Sequence, residues 1–197
     1  MTSGVSMFTL REWFREDPDG SISVQGDRVS WVKADRSVLR YIGTKTKVAE
    51  DFHHRFIVCM EEGYVEDDLN RGLLRLWELR RDWNNRIWVY ARKTPQGWTV
   101  HYEQRDDAQD LWAYHGTKPL LWGQRFIVEL ERASEEYRLR VLREGDAAAQ
   151  VDTGWIKGVS QTFNRLWLAS TIKARRNNGN WSTGYIENLT MSSLDIT

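Results

Sequence analysis

The strongest constraint on this chain is a series of short segments in which apolar and polar side chains alternate, each bounded by turn residues. Eight such segments follow one another from residue 52: FHHRFIVCM, GLLRLWELRR, RIWVYARK, GWTVHYEQR, LLWGQRFIVELER, EEYRLRVLRE, RLWLASTIKA and GYIENLTMSS. Because successive side chains of a strand point to opposite faces, a period of two predicts β-strands. Eight strands in 197 residues leave little room for helices.

One segment, ERASEEYRLRVLREGD, favours a helix by composition, since Glu, Arg and Leu are good helix formers. Its alternation argues for strands. Apolar residues lie two apart within 126–130 and again within 137–141, whereas a helix needs spacings of three and four. We therefore predict two strands joined by a turn at Ala133-Ser134, the second ending at 144–146.

Many antiparallel strands in one domain must hide their edges, either by packing two sheets or by closing a barrel. We predict an all-β fold, a two-sheet antiparallel jelly-roll sandwich. The one strong turn signal that could mark a boundary is Glu16-Asp17-Pro18-Asp19-Gly20. Residues 1–19 are therefore predicted to be an N-terminal segment packed on the domain edge, and residues 20–197 a single β-sandwich domain.

Composition argues against several classes of partner. The 28 basic and 28 acidic side chains balance, so no general field would attract nucleic acid or an anionic membrane surface. The given chain shows neither a signal peptide nor an apolar stretch of membrane-spanning length, and localisation stays open. Cys59 lies in an apolar run and is expected to be a buried, inert thiol.

No cofactor is expected from the sequence. His53 and His54 are adjacent, so in a strand they point to opposite faces and cannot bind one metal. Acidic loops at 66–68 and at Asp106-Asp107 could hold a structural calcium ion, because carboxylates are calcium ligands. Such loops are more often simply solvated.

The chain contains 11 tryptophans, and the segment 84–105 places aromatic rings on both faces of one hairpin. If Lys93 faces Trp98 across the turn Thr94–Gly97, the residue numbers of paired positions sum to 191. One face is then apolar and suits a core: Ile87, Val89, Ala91, Val100 and Tyr102. The other face carries rings among polar groups: Trp88, Tyr90, Arg92, Thr99, His101 and Glu103.

The second face has the composition of a sugar-binding surface. A pyranose stacks its C–H face on an aromatic ring and needs fixed hydrogen-bonding groups for its hydroxyls. We expect Trp88 and Tyr90 to face outward to water as a platform, with Arg92, His101 and Glu103 bonding the hydroxyls. The neighbouring strand offers Arg75, Trp77 or Glu78 for the same purpose. The alternative is ordinary packing beneath loops or a partner chain.

A series of segments at the C-terminal end resembles the concanavalin A-like lectin/glucanase superfamily. The order and spacing of four segments resemble most its laminin G-like branch: GQRFIVELERAS, EYRLRVLREGD, RLWLAS and GYIENLTM. The resemblance covers roughly residues 50–193. It implies a sandwich whose concave sheet holds saccharide in many glucan-binding members. These motifs are patterns of burial more than of chemistry, so they support fold better than function.

The catalytic motifs of that superfamily are incomplete here. The β-glucanase members use Glu-x-Asp-x-x-Glu, and the nearest match, residues 66–71, ends in Arg. The alginate-lyase-like members carry Arg-x-Glu-x-Arg and Gln-Val-His, whereas this chain has only Thr99-Val100-His101. Glu129 and Glu131 alternate on one strand, as charges do on any solvated face.

We therefore predict a lectin-like module that binds a saccharide or polysaccharide without catalysis, through Trp88, Tyr90, Arg92, His101, Glu103 and Trp77. The first alternative is a polysaccharide-cleaving hydrolase or lyase of the same fold, with His101 as base, Tyr90 as proton donor and Glu103 beside them. The second is a structural or adhesion module that binds a protein partner or forms an oligomer.

Overall fold

The computed structural model describes residues 5–6, 13–35, 38–45, 48, 51–64, 73–106, 111–116, 118–158, 162–171 and 180–193. Within these ranges the chain forms strands, turns and bends and no helix. The strands in chain order are β1 (Val5–Ser6), β2 (Trp13–Glu16), β3 (Ile22–Gln25), β4 (Arg28–Asp35), β5 (Arg40–Lys45), β6 (Phe52–Tyr64), β7 (Leu74–Arg80), β8 (Asn85–Thr94), β9 (Gly97–Asp106), β10 (Leu111–Gly116), β11 (Arg125–Ala133), β12 (Glu136–Arg143), β13 (Val151–Asp152), β14 (Ile156–Lys157), β15 (Arg165–Thr171) and β16 (Trp181–Ser193). None of the described residues belongs to a helix long and apolar enough to cross a membrane.

These strands form two antiparallel sheets. Sheet A has the order β13-β12-β11-β6-β16-β4-β3, with β1 also pairing with β16 and β14 with β12. Sheet B has the order β10-β9-β8-β7-β15-β5-β2. The predicted all-β, two-sheet antiparallel sandwich is confirmed by this arrangement.

The core lies between the two sheets and is built from both. Trp98 of β9 meets Phe126 of β11 edge to face, with ring centroids 5.7 Å apart. Trp77 of β7 donates from Nε1 to Nδ1 of His54 on β6 at 3.2 Å, so one hydrogen bond also joins the sheets. Burial of large apolar side chains against each other is the main force that holds such layers together.

Each of the eight predicted segments contains a strand. The hairpin that could have been a helix pairs Val128 with Val141 and Leu130 with Leu139, and strand β11 alternates between buried and half-buried positions along its length. The turn lies one position later than predicted, at Ser134-Glu135, and Ser134 has a φ of 57°. Cys59 is buried as predicted, and burial raises the pKa of its thiol.

The strands β1 to β5, β10, β13 and β14 were not located from the sequence. In β4 the alternation is interrupted, because the consecutive residues Val32 and Lys33 are both exposed and Lys33 has a φ of 46°. In β3 only Ile22 of the four residues is buried. Such strands carry too little periodic signal, and their pairing in the sheet identifies them instead.

Candidate functional site

The hairpin of β8 and β9 has the predicted register. Ala91 pairs with Val100, Val89 with Tyr102, and Lys93 with Trp98. The face predicted to be apolar belongs entirely to the core: Ile87, Val89, Ala91, Val100 and Tyr102. The alternate residues of the hairpin therefore point to the opposite face, which forms part of the outer surface of sheet B.

The predicted platform rings lie on this outer face, but they are not open to water. Trp88 is 4% exposed and Tyr90 is 5% exposed. The guanidinium groups of Arg75 and Arg86 lie 5.3 and 4.4 Å from the centre of the Trp88 ring, and that of Arg92 lies 5.3 Å from the Tyr90 ring. The expectation of open rings was wrong, because arginine side chains of the same sheet cover them.

Tyr90, His101 and Glu103 form one connected group, as their predicted pairing requires. The Tyr90 hydroxyl donates to Glu103 Oε1 at 2.5 Å, and the Tyr90 and His101 rings stack with centroids 5.2 Å apart. His101 Nε2 lies 2.6 Å from Thr99 Oγ1. Burial and the nearby positive charge of Arg92 lower the pKa of His101 to about 4, so its imidazole is neutral at pH 7.

Trp77 does not belong to this group, and its predicted role in ligand binding was wrong. A β-bulge shifts the register of β7 against β8 between Arg75 and Trp77, so two successive residues, Leu76 and Trp77, are both buried in the core. Trp77 therefore faces Val89 on the core side. A bulge inserts one unpaired residue, and every side chain beyond it changes face relative to simple alternation.

The same bulge brings Arg75, Glu78 and Arg80 to the outer face. Arg75 Nη1 donates to Glu78 Oε2 at 2.7 Å, and Arg80 Nη1 lies 3.8 Å from Glu78 Oε1. Arg86 Nη1 approaches the same oxygen at 4.0 Å. Arg75 and Glu78 were candidates from the sequence. Arg80 and Arg86, which complete the cluster, were not.

Trp83 is a further residue that the sequence analysis missed. It lies in the bend between β7 and β8 and is 46% exposed. Its ring centre lies 4.3 Å from the guanidinium of Arg86, 5.2 Å from that of Arg80 and 5.9 Å from that of Arg75. A tryptophan in the polar stretch Arg80–Asn85 was the available signal, because a large ring there has no strand face to fill.

Other candidates from the sequence do not join this site. Glu129 lies on sheet A, paired with Arg55 and Arg140, as an ordinary charged face would be. The acidic stretch 66–71 and Asp107 lie outside the described residues. Among the described residues, no group of three or more His, Cys, Asp or Glu side chains is arranged to hold a metal ion.

Sequence comparisons identify no relative: no family model matches the chain, and no curated protein matches it. Solved structures do resemble it. The exoplasmic/lumenal domain of VIP36, bound to Ca²⁺ and Man, has a TM-score of 0.63 at 11% identity, covering 94% of this chain and 84% of that one. The carbohydrate-binding module CBM66 from Bacillus subtilis has a TM-score of 0.56 at 11% identity, covering 92% and 96%.

A third similar structure is that of aly-SJ02, named as a polysaccharide lyase of family 18. Its TM-score is 0.62 at 12% identity, with coverage of 92% of this chain and 94% of that one. At these identities the likeness concerns the fold. The chain therefore shares a β-sandwich fold with these three structures.

Proposed function

We propose that this protein is a carbohydrate-binding module of lectin type that holds a saccharide on the outer face of sheet B without cleaving it. The observation that carries the proposal is the composition of that face. The covered rings of Trp88 and Tyr90 lie there beneath the half-exposed donors and acceptors of Arg92 and Glu103, and the exposed ring of Trp83 adds apolar surface. The names of two similar structures, which mention Man and carbohydrate binding, are consistent with it.

Because the Trp88 and Tyr90 rings are covered, they are not themselves the surface on which a sugar ring stacks. Trp88 and Tyr90 form a floor beneath polar side chains, and Arg92 and Glu103 are half-exposed above it. The large ring that reaches solvent beside them is Trp83. In this proposal Trp83 supplies the stacking surface, and the half-exposed polar groups bond the hydroxyls of the sugar.

The test is a glycan array followed by calorimetric titration of the best ligand. We expect Trp83→Ala to weaken binding about five- to thirtyfold, because loss of one stacked aromatic ring costs about 1–2 kcal/mol. Trp155→Ala is the matched control, because Trp155 is similarly exposed at 43% but lies between two short strands of sheet A. Silence across a broad panel, or equal losses in both variants, would count against the proposal.

The same titration can also test metal dependence and self-association. Repeating it with EDTA and then with added calcium tests whether binding proceeds without a metal cofactor. Light scattering before and after saccharide addition tests the alternative of an adhesion or self-associating module, which predicts an oligomer that Trp83→Ala disperses. Membership in the laminin G-like branch, a single domain over residues 20–197, and the absence of nucleic acid and membrane partners also belong to the proposal.

Cleavage of the bound polysaccharide is the second candidate function. The neutral imidazole of His101 favours it, because a general base must be deprotonated at the working pH. Against it, the His101 ring is 6% exposed and stacks on Tyr90, whose hydroxyl donates to Glu103. Incubation with β-glucans and uronate polymers, with detection of new reducing ends and of unsaturated products, would yield products only if this candidate is right.

A further inference from the structure

A row of basic side chains crosses the outer face of sheet B. Consecutive neighbouring strands place the following residues opposite one another, in this order: Lys45, Arg165, Arg80, Arg86 and Arg105. The next row contributes Glu78, whose carboxylate is shared by Arg75, Arg80 and Arg86 at 2.7, 3.8 and 4.0 Å. Three guanidinium groups therefore surround the one buried carboxylate of Glu78, and the charge of Asp82 in the adjoining bend also acts on Arg80.

Two of these guanidinium groups have little access to water. Arg80 and Arg86 are each 5% exposed, and in the described part of the chain Nε and Nη1 of both lack a hydrogen-bond partner. Burial lowers the pKa of both groups, and repulsion from neighbouring arginines adds to this; for Arg86 the value falls to about 10. Buried N–H groups are normally satisfied, so four unsatisfied donors close together call for an acceptor.

On the opposite surface of the molecule, the arginines lie closer to their carboxylate partners. On sheet A, Arg138 Nε donates to Asp152 Oδ1 at 2.8 Å, and Arg140 Nη1 lies 3.1 Å from Glu129 Oε2. Arg80 and Arg86 lie farther from the carboxylate of Glu78, with Nη1 3.8 and 4.0 Å from its Oε1. Nε of Arg140 on sheet A also lacks a hydrogen-bond partner, so the difference between the two faces is the longer distance from Arg80 and Arg86 to their carboxylate.

Indole rings surround the same two guanidinium groups. Arg80 lies 4.0 Å from the centre of the Trp167 ring, Arg86 lies 4.4 Å from that of Trp88, and Trp83 lies over both. Trp83 is the exposed member and sits in a bend, so part of its ring is open to stacking by an incoming ring. The cluster therefore combines donors for an anion with flat apolar surface.

We propose that the saccharide bound on this face is an acidic one, with Arg80 and Arg86 binding its carboxylate or sulfate group and Trp83 covering the sugar ring. This inference rests on the proposed function and specifies its ligand class. A carboxylate or sulfate accepts the paired N–H groups of guanidinium in a geometry that hydroxyls of a neutral sugar match less well. The balanced charge of the whole chain favours a saccharide over nucleic acid, because no extended field surrounds the cluster.

The experiment is calorimetric titration with an oligogalacturonate and with its methyl ester, which keeps the rings and removes the charges. Sulfated oligosaccharides, inorganic sulfate alone and a single-stranded DNA oligomer are titrated in parallel. We expect an acidic oligosaccharide, carboxylated or sulfated, to bind at least about tenfold more tightly than its uncharged counterpart and than inorganic sulfate. Arg86→Gln and Arg80→Gln should each lose at least about tenfold in affinity.

Arg138→Gln is the control, because it removes a guanidinium from the outer face of sheet A and should leave affinity unchanged. Arg86→Lys, which keeps the charge but not the planar pair of donors, should fall between wild type and Arg86→Gln. Thermal unfolding of each variant establishes that it is folded before titration.

The outcomes separate this inference from the proposed function. Binding of neutral glycans with the same affinity in Arg86→Gln and wild type overturns the acidic ligand and leaves the carbohydrate-binding module standing. Binding of no glycan overturns both. Sulfate alone binding as tightly as the oligosaccharides, or DNA binding more tightly than they do, shows an anion site of another kind and also overturns the inference.

Discussion

Trp77→Ala is expected to lower the free energy of unfolding by about 3–5 kcal/mol, the usual effect of removing a fully buried tryptophan. The indole is 0% exposed and lies 6.3 Å from the Phe52 ring across the sandwich. Its removal leaves a cavity and deprives His54 Nδ1 of a donor 3.2 Å away. Denaturant unfolding monitored by circular dichroism, with linear extrapolation to water, measures the change.

Trp83→Ala is the comparison, because the same residue type is removed from a site where it is 46% exposed. Its effect on stability should stay within about 0.5 kcal/mol. Trp77→Phe, which keeps a ring but loses the N–H donor, should fall between the two. If Trp77→Ala unfolds no more easily than Trp83→Ala, Trp77 is not a core residue, and its predicted place in the ligand-binding face must be restored.

The second large effect is acid destabilisation through His54. Full burial, with a contribution from the charge of the neighbouring His53, lowers the pKa of this imidazole from 6.5 to about 3. In the unfolded chain His54 takes up a proton near pH 6.5, whereas in the folded protein it does not do so until about pH 3. The unfolded state therefore binds more protons in this window, so stability is complete above pH 6.5 and falls as the pH drops towards 3.

The expected loss across that window is on the order of 4 kcal/mol from His54 alone. His101 acts with the same sign between pH 6.5 and about 4. Asp19 and Asp152, whose pKa values are lowered by Arg40 and Arg138, lose their contribution only at still lower pH. Urea unfolding at intervals between pH 7 and pH 4 therefore reports mainly on the two histidines.

The variant His54→Asn separates the acid destabilisation caused by His54 from that caused by His101. Asn retains an acceptor near the position of Nδ1 but does not titrate, so the variant should be less stable at pH 7 and show a shallower decline between pH 6.5 and 4. His53→Asn, on the neighbouring position that points to the other face, should keep the full decline because His54 is still present. An unchanged slope in His54→Asn would mean that His54 is accessible to protons in the folded state.

The hairpin of β8 and β9 illustrates what local pattern can predict. A turn of four residues between two alternating segments sets the register, and the register sets which side chains share a face. The pairing of Tyr90 with His101 and of Trp88 with Glu103 followed from these rules and is observed. The pattern does not reveal what lies over a face, and so it did not predict that Arg75 and Arg86 cover Trp88.

Trp77 shows that alternation alone does not predict the face of a side chain that follows a bulge. Leu76 is the extra residue of a bulge in the pairing of β7 with β8, while its pairing with β15 on the other side is regular. On β15 a register shift occurs at a corresponding place, between Leu168 and Thr171, where Ala169 has a φ of 48°. A bulge of this kind is decided by pairing between distant segments, and the sequence of β7 alone carries only the ambiguous Leu73-Leu74 as a sign of it.

The sequence by itself determined the all-β class, eight of the strands after residue 52 and the two faces of the hairpin at 84–105, because each depends on alternation and turns within a few residues. Only the tertiary structure decided that Trp77 belongs to the core and that Arg80, Arg86 and Trp83 meet around Glu78. Those arrangements depend on strand order, on a bulge and on the direction of long side chains. None of these is a property of neighbouring residues in the chain.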